Sequence, residues 1–269
     1  MLLTVAHTPD ADDAFMFYAM LNGKIPLEFE LKNVVEDIET LNSKALNGIY
    51  DVTAISVHAY AFAADKYRIL STGASVGDGY GPVVVAREKM DPNRALIAIP
   101  GKLTTANLLL KIFCNARTLE MRFDEILNAV ISGKVDAGLL IHEAQLSYEN
   151  YGLKKILDLF ELWNSIADLP LPLGINAIRK SLNVDLQRSF LRAMRTSVEY
   201  AMKNFEEALG YAEKFSRGLE REKLEKFVRM YVNSFTLEMP KSVERAIETL
   251  FDLAESKGLL KKPALDVLR

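Results

Sequence analysis

At 269 residues the chain is long enough for two lobes of ordinary domain size, each with its own core. Apolar residues make up 49% and charged residues 26%, a globular composition that excludes a disordered chain. The net charge is −3 and no basic stripe with interleaved aromatics is present, which argues against nucleic acid as partner, and no apolar run approaches the roughly 20 residues that span a bilayer.

The first seven residues, Met1 to His7, carry no basic region, no long apolar stretch and no cleavage site. No secretory signal is expected, which points to the cytoplasm. Strands are expected at 2–6, 27–34, 52–56, 83–86, 96–99, 119–122, 137–141 and 156–159. Helical patterns lie between them near 14–22, 38–47, 104–114 and 124–132. This alternation predicts parallel strands joined by crossover helices. From residue 184 the pattern turns helical, with Val184, Phe190, Leu191, Met194, Val198, Ala201 and Met202 on one face. Further helices are expected over 205–216, 221–235 and 241–257, the last stopped by Gly258. The lone Cys114 lies in an apolar helical pattern and reads as a buried core thiol.

Two segments echo each other. Leu46-Asn47-Gly48-Ile49-Tyr50-Asp51-Val52 matches Ile131-Ser132-Gly133-Lys134-Val135-Asp136-Ala137: a helix end, a glycine able to take positive φ, an aspartate three residues on, and a strand. The strand-to-helix turns after His7 and after Ile99 form a second echo. Two related lobes follow, the first made of 1–87 and 174–269 and the second of 88–173. The crossings are placed at Arg87–Pro92 and Pro170–Gly174. The fold class is thus α/β, two-lobed, with a hinge and a central cleft.

The three histidines, His7, His58 and His142, all fall at or just after a strand's carboxyl end, where open parallel sheets bind ligands. His142 is the strongest candidate for proton transfer. Its neighbour Glu143 points elsewhere if both residues stay in extended backbone. Thr104 and Thr105 open a helix after Gly101. They read equally as an anion site, with Lys102 adding charge, or as ordinary N-caps. The segment is not a P-loop, because the upstream glycine is missing. Asp10, Asp12 and Asp13 cluster in sequence, but no matching metal ligands are readable and capping accounts for at least one. The glycine-rich stretch from Gly73 to Pro82 lacks the dinucleotide fingerprint.

Together these motifs resemble the 1,4-dihydroxy-6-naphthoate synthase family of the futalosine route to menaquinone. The resemblance rests on Pro9–Tyr18, Glu36–Asn42, Gly101–Ala106, Ile141–Glu143, Tyr151–Leu153, Leu169–Gly174 and Tyr231–Phe235, which span nearly the whole chain. It implies a periplasmic-binding-protein-like (type II) fold used as an intracellular lyase. The reaction implied is conversion of cyclic dehypoxanthine futalosine to 1,4-dihydroxy-6-naphthoate and dihydroxyacetone. His142 is implied as the base. Thr104, Thr105, Ala54, Ile55, Ser56 and, more weakly, Asn42 are implied as substrate contacts. Two departures stand out: Ala54 replaces a lysine of some members, and Asp12-Asp13-Ala14 replaces Asn-Asp-Thr. The expected partner is a small anionic aromatic molecule, with no nucleic acid, membrane, cofactor or metal. The oligomeric state is left open, a homodimer included. The rival readings are a chorismate dehydratase of the same pathway, which chorismate would reveal, and a solute-binding protein, which would leave its ligand unchanged.

Overall fold

The computed structural model describes residues 1–269. The chain starts with β1 (Leu2–His7), α1 (Ala11–Leu21), β2 (Glu30–Val35), α2 (Ile38–Ala45), β3 (Val52–Ser56), α3 (Val57–Ala63), β4 (Tyr67–Leu70) and β5 (Ser75–Gly77). It then crosses to β6 (Val83–Ala86), β7 (Leu96–Ile99), α4 (Thr105–Phe113), β8 (Arg117–Glu120), α5 (Phe123–Ile131), β9 (Ala137–Leu140), β10 (Lys154–Asp158) and α6 (Leu159–Asn164). It returns through β11 (Leu171–Arg179) to α7 (Val184–Lys203), α8 (Phe205–Ala212), α9 (Arg221–Tyr231), α10 (Ser234–Leu237), α11 (Lys241–Ser256) and β12 (Val267–Leu268). One sheet runs β12-β4-β11-β3-β1-β2 with β5 also on β11, and the other runs β10-β6-β9-β7-β8.

The lobe boundary differs from the sequence expectation. β6 belongs to the second sheet and β11 to the first, so the chain crosses before Val83 and returns before Leu171. The charged stretch at Arg87 is an exposed turn within the second lobe. Both crossings meet where Leu171 pairs with Gly77, which ties the hinge together. The sheets are also mixed rather than parallel. β11 runs antiparallel to β3 in one, and β6 runs antiparallel to β9 in the other.

The internal echo is structural. Gly48 and Gly133 both take positive φ, at 65° and 76°. Asp51 Oδ2 accepts from the Thr4 amide at 2.9 Å, and Asp136 Oδ2 accepts from the Leu96 amide at 2.8 Å. Each aspartate thereby ties the start of its own strand to the neighbouring parallel strand, Asp51 to β1 and Asp136 to β7. An arginine closes each unit: Arg179 donates to the Gly48 carbonyl, and Arg87 donates to the Val130 and Val135 carbonyls.

The cores are not fully separate. The largest buried cluster joins Ile55, Val57 and Tyr60 of the first lobe to Ile97, Leu108 and Trp163 of the second, with α11 packed against it. A second core is confined to the first lobe, where α1 is buried on every side from Ala11 to Met20. Burial all round explains why α1 shows little apolar periodicity. A third lines the outer face of the second lobe around Val85, Ile126 and Val130. The shared cluster holds the lobes together at the hinge and leaves their far ends to meet across the cleft. Cys114 sits at its edge, where Sγ donates to Asn93 Oδ1 at 3.4 Å.

Candidate active site

The cleft between the sheets encloses about 680 Å³ including its open mouth. Its walls come from strand ends and helix starts of both lobes. Thr8, Asp12 and Asp13 arrive from the β1–α1 turn, Ala54, Ile55 and Ser56 from β3, and Thr104, Thr105 and Ala106 from the start of α4. Ile141, His142 and Gln145 close it from the second lobe, and Tyr231 of α9 from the first. Of the six expected contact residues, five line the cavity. Asn42 does not. It is fully buried behind the wall, where Oδ1 accepts from the Ser56 amide at 2.8 Å and Nδ2 donates to the Ser56 hydroxyl at 3.1 Å. Asn42 therefore fixes Ser56 rather than meeting a ligand.

The two threonine hydroxyls are already committed. Thr104 caps α4: Oγ1 accepts from the Asn107 amide at 3.2 Å and donates to the Gly101 carbonyl at 2.9 Å. Thr105 Oγ1 donates to the Leu173 carbonyl at 2.6 Å and accepts from the His58 amide at 3.2 Å. Thr104, Thr105 and Ala106 line the cavity, and the N–H groups of Thr105 and Ala106 come before the first intrahelical bond, which Leu108 makes to the Thr104 carbonyl. Lys102 is spent on Glu120, at 3.3 Å.

The three histidines divide by role. His7 Nδ1–H donates to the Thr8 carbonyl at 2.8 Å and its ring stacks on Phe17 at 4.9 Å, so it is held inside the first lobe. His58 packs across the lobe junction, its Nδ1–H donating to the Thr104 carbonyl at 3.3 Å. Burial lowers its pKa from 6.5 to about 4. The unfolded chain therefore takes up the proton first, and stability contributed by neutral His58 is lost as pH falls from about 6.5 to about 4. The loss amounts to about 3 kcal/mol. The buried carboxylates below act in the opposite sense, so the quantity to measure is a difference. The unfolding free energy of wild type minus that of His58→Gln is expected to fall across this window, and parallel profiles would refute the burial account.

His142 is the histidine that faces the cavity. Its backbone is left-handed, with φ at 56°, which turns the ring away from the line of β9. In the amide orientation that satisfies its neighbours, Gln145 steadies this turn: Oε1 accepts from the His142 amide at 3.1 Å and from the Tyr231 hydroxyl at 2.9 Å, while Nε2 donates to the Gly81 carbonyl at 2.6 Å. His142 Nε2 is buried, lacks a well-aligned hydrogen bond, and lies 3.4 Å from Asp10 Oδ2. Phe123 meets the ring edge-on at 5.4 Å.

The aspartate cluster serves three separate ends. Asp10 occupies the N-cap of α1 but makes no capping bond, against the capping expected of this cluster. Its Oδ1 instead accepts from Arg217 at 2.7 Å. Asp13 accepts from the Thr8 amide and hydroxyl at 2.7 and 2.8 Å, and burial still raises its pKa. Asp12 lines the cavity with Oδ1 unpartnered. Burial, reinforced by Asp13, Asp10 and Glu143, pushes its carboxyl well above the ordinary range. Glu143 is likewise raised by burial, then by Asp10, although Arg217 donates to it at 2.9 Å and opposes the shift. Arg217, Gln145 and Tyr231 were not singled out as site residues from sequence. Tyr231 at least lies in a segment that carries the family resemblance, whereas nothing in the local sequence marks Arg217.

The class that these features define is a two-lobed, cleft-closing α/β protein of the periplasmic-binding-protein type. The alkanesulfonate-binding protein SsuA of Xanthomonas axonopodis pv. citri superposes with a TM-score of 0.76 over 100% of this chain and 98% of its own, at 14% identity, which speaks for the fold alone. The menaquinone biosynthesis family model matches residues 3–256. A 1,4-dihydroxy-6-naphthoate synthase of Thermus thermophilus is 40% identical over 259 residues, covering 96% of this chain and 95% of the relative. The crystal structure of an Archaeoglobus fulgidus protein is 57% identical with a TM-score of 0.95, covering 96% of this chain and 98% of that one. The chain belongs to the 1,4-dihydroxy-6-naphthoate synthase family of menaquinone biosynthesis. No helix is long and apolar enough to cross a membrane.

Proposed function

We propose that this protein is a cytoplasmic carbon–carbon lyase that converts cyclic dehypoxanthine futalosine to 1,4-dihydroxy-6-naphthoate and dihydroxyacetone, with His142 as general base. The observation that carries this reading is that His142, from the second lobe, lines the same cavity as the β3 end and the start of α4. Nε2 is turned to Asp10, so Nδ1 is the nitrogen left to take a proton from a bound substrate. An imidazole suits that step near neutral pH.

The remaining walls divide the binding work. First-turn amides of α4 suit the substrate carboxylate, an anion at a helix start. Ser56, held by Asn42, and the β3 backbone flank the ring system. Burial raises the pKa of Asp12 and so favours the carboxyl form, which can donate as well as accept, as the asparagine of some family members would. Closure excludes water while negative charge develops. The cleavage as proposed calls for no redox cofactor.

The test is incubation of the purified protein with cyclic dehypoxanthine futalosine and analysis by mass. Appearance of 1,4-dihydroxy-6-naphthoate together with a three-carbon fragment is expected. Unchanged substrate, or dehydration of chorismate in a parallel incubation, would overturn the assignment.

A further inference from the structure

We propose that the base is completed across the lobe junction: Asp10 of the first lobe orients the His142 ring of the second, and Arg217 locks the pair by bridging Asp10 to Glu143. The proposal rests on His142 being the base, and adds two positioning residues to it. Asp10 follows β1, while His142 and Glu143 follow β9, so the residues come from opposite sides of the cleft. Arg217 lies between α8 and α9, which pack on α1 and belong to the first lobe.

The geometry is specific. Asp10 is 1% exposed, and its two oxygens face different partners: Oδ1 accepts from Arg217 at 2.7 Å, and Oδ2 lies 3.4 Å from His142 Nε2. Arg217 also donates to Glu143 at 2.9 Å and to the Pro9 carbonyl at 3.2 Å. Its guanidinium stacks on Phe123 at 4.6 Å, the same ring that meets His142 edge-on. The only non-glycine residues with left-handed φ in the chain are His142, at 56°, and Arg217, at 49°. Backbone strain at two positions that meet in one cluster marks a place where geometry is held for function.

The chemical consequence follows from the tautomer. A carboxylate facing Nε2 holds the proton there and leaves the Nδ1 lone pair for the cavity. With the lobes apart, Asp10 keeps Arg217 but loses the imidazole, and the ring is free to rotate or change tautomer. The 3.4 Å separation without good alignment is that of a contact which tightens when substrate draws the lobes together.

Nitrogen NMR of histidine-labelled protein tests this, because there are only three imidazoles and His142→Ala assigns the one of interest. Wild type is expected to show the Nε2–H tautomer at His142, sharpened by bound 1,4-dihydroxy-6-naphthoate. Asp10→Asn leaves one acceptor oxygen for two donors. It is expected to mix the tautomers and to lower kcat about tenfold or more with KM within about threefold. A predominant Nδ1–H tautomer in wild type would overturn the proposal whether or not the variant folds. So would an Asp10→Asn protein with unchanged tautomer and kcat. The spectra are read without turnover, so a wrong substrate assignment would leave the tautomer result standing.

Discussion

The variant His142→Ala is expected to lower kcat about 10²–10⁴-fold, with KM little changed and the melting temperature close to wild type. The magnitude is that of removing a positioned general base. An imidazole that acts only as the proton moves contributes to the transition state and not to ground-state binding, so the loss belongs in kcat. The fold is expected to survive for three reasons. The ring lies on a cavity wall rather than in a core cluster. Asp10, the buried anion beside it, keeps its 2.7 Å contact with Arg217. The left-handed backbone at residue 142 is held by the Gln145 side chain, which bonds the main-chain amide and is indifferent to the side chain beyond it. Steady-state kinetics beside a thermal melt would check both halves. Turnover within threefold of wild type would remove His142 from the chemistry.

That residue stood out in the sequence because three signals fell on it, a histidine, a strand end and a motif of the family, and it lies on the cavity wall. Much of the scaffold was legible for similar reasons. The Gly-x-x-Asp echo named Asp51 and Asp136, and each bonds a neighbouring parallel strand of its own lobe, β1 and β7. What failed was local. β8 was expected at 119–122 but runs Arg117–Glu120, an exposed edge strand whose apolar residues do not mark its ends. β4, β5, β11 and β12 were missed: β4, β5 and β12 are too short to carry a periodic signal, and β11, though nine residues long, opens on the Pro-Leu-Pro-Leu-Gly stretch that reads as a crossing. The helix expected over 221–235 breaks at Val232, where Asn233 starts the separate α10 by capping it. The boundary at Arg87 was wrong because charge marks a surface turn as readily as a linker. Arg217 was unreadable for a deeper reason. Its role comes from a left-handed turn and a meeting of two lobes, and neither is encoded in the residues beside it.

Gly101→Ala is expected to be a damaging single-methyl change at the cleft, because this turn has no room for a side chain. A Cβ on Gly101 would stand 2.3 Å from Glu39 Oε2, 2.5 Å from its Cδ and 2.6 Å from its Cγ. Glu39 comes from the first lobe and Gly101 from the second, so the collision falls on the lobe junction. The glutamate can retreat, but not freely. Its Oε1 and Oε2 accept from the Leu103 amide at 3.0 and 3.1 Å, and Oε2 also accepts from Asn42, the residue that holds Ser56 in the cavity wall. Moving it strands the Leu103 amide and loosens both Ser56 and the start of α4. Overpacking of this kind costs about 1–3 kcal/mol. KM is expected to rise about tenfold, a loss of about 1.4 kcal/mol of substrate binding, while kcat changes less because His142 stands on another element. Adding Glu39→Ala removes the collision and not the missing carboxylate. The double variant should therefore regain stability while keeping a raised KM. If Gly101→Ala melts and binds like wild type, the junction has slack, and the α4 start is not held in place from across the cleft.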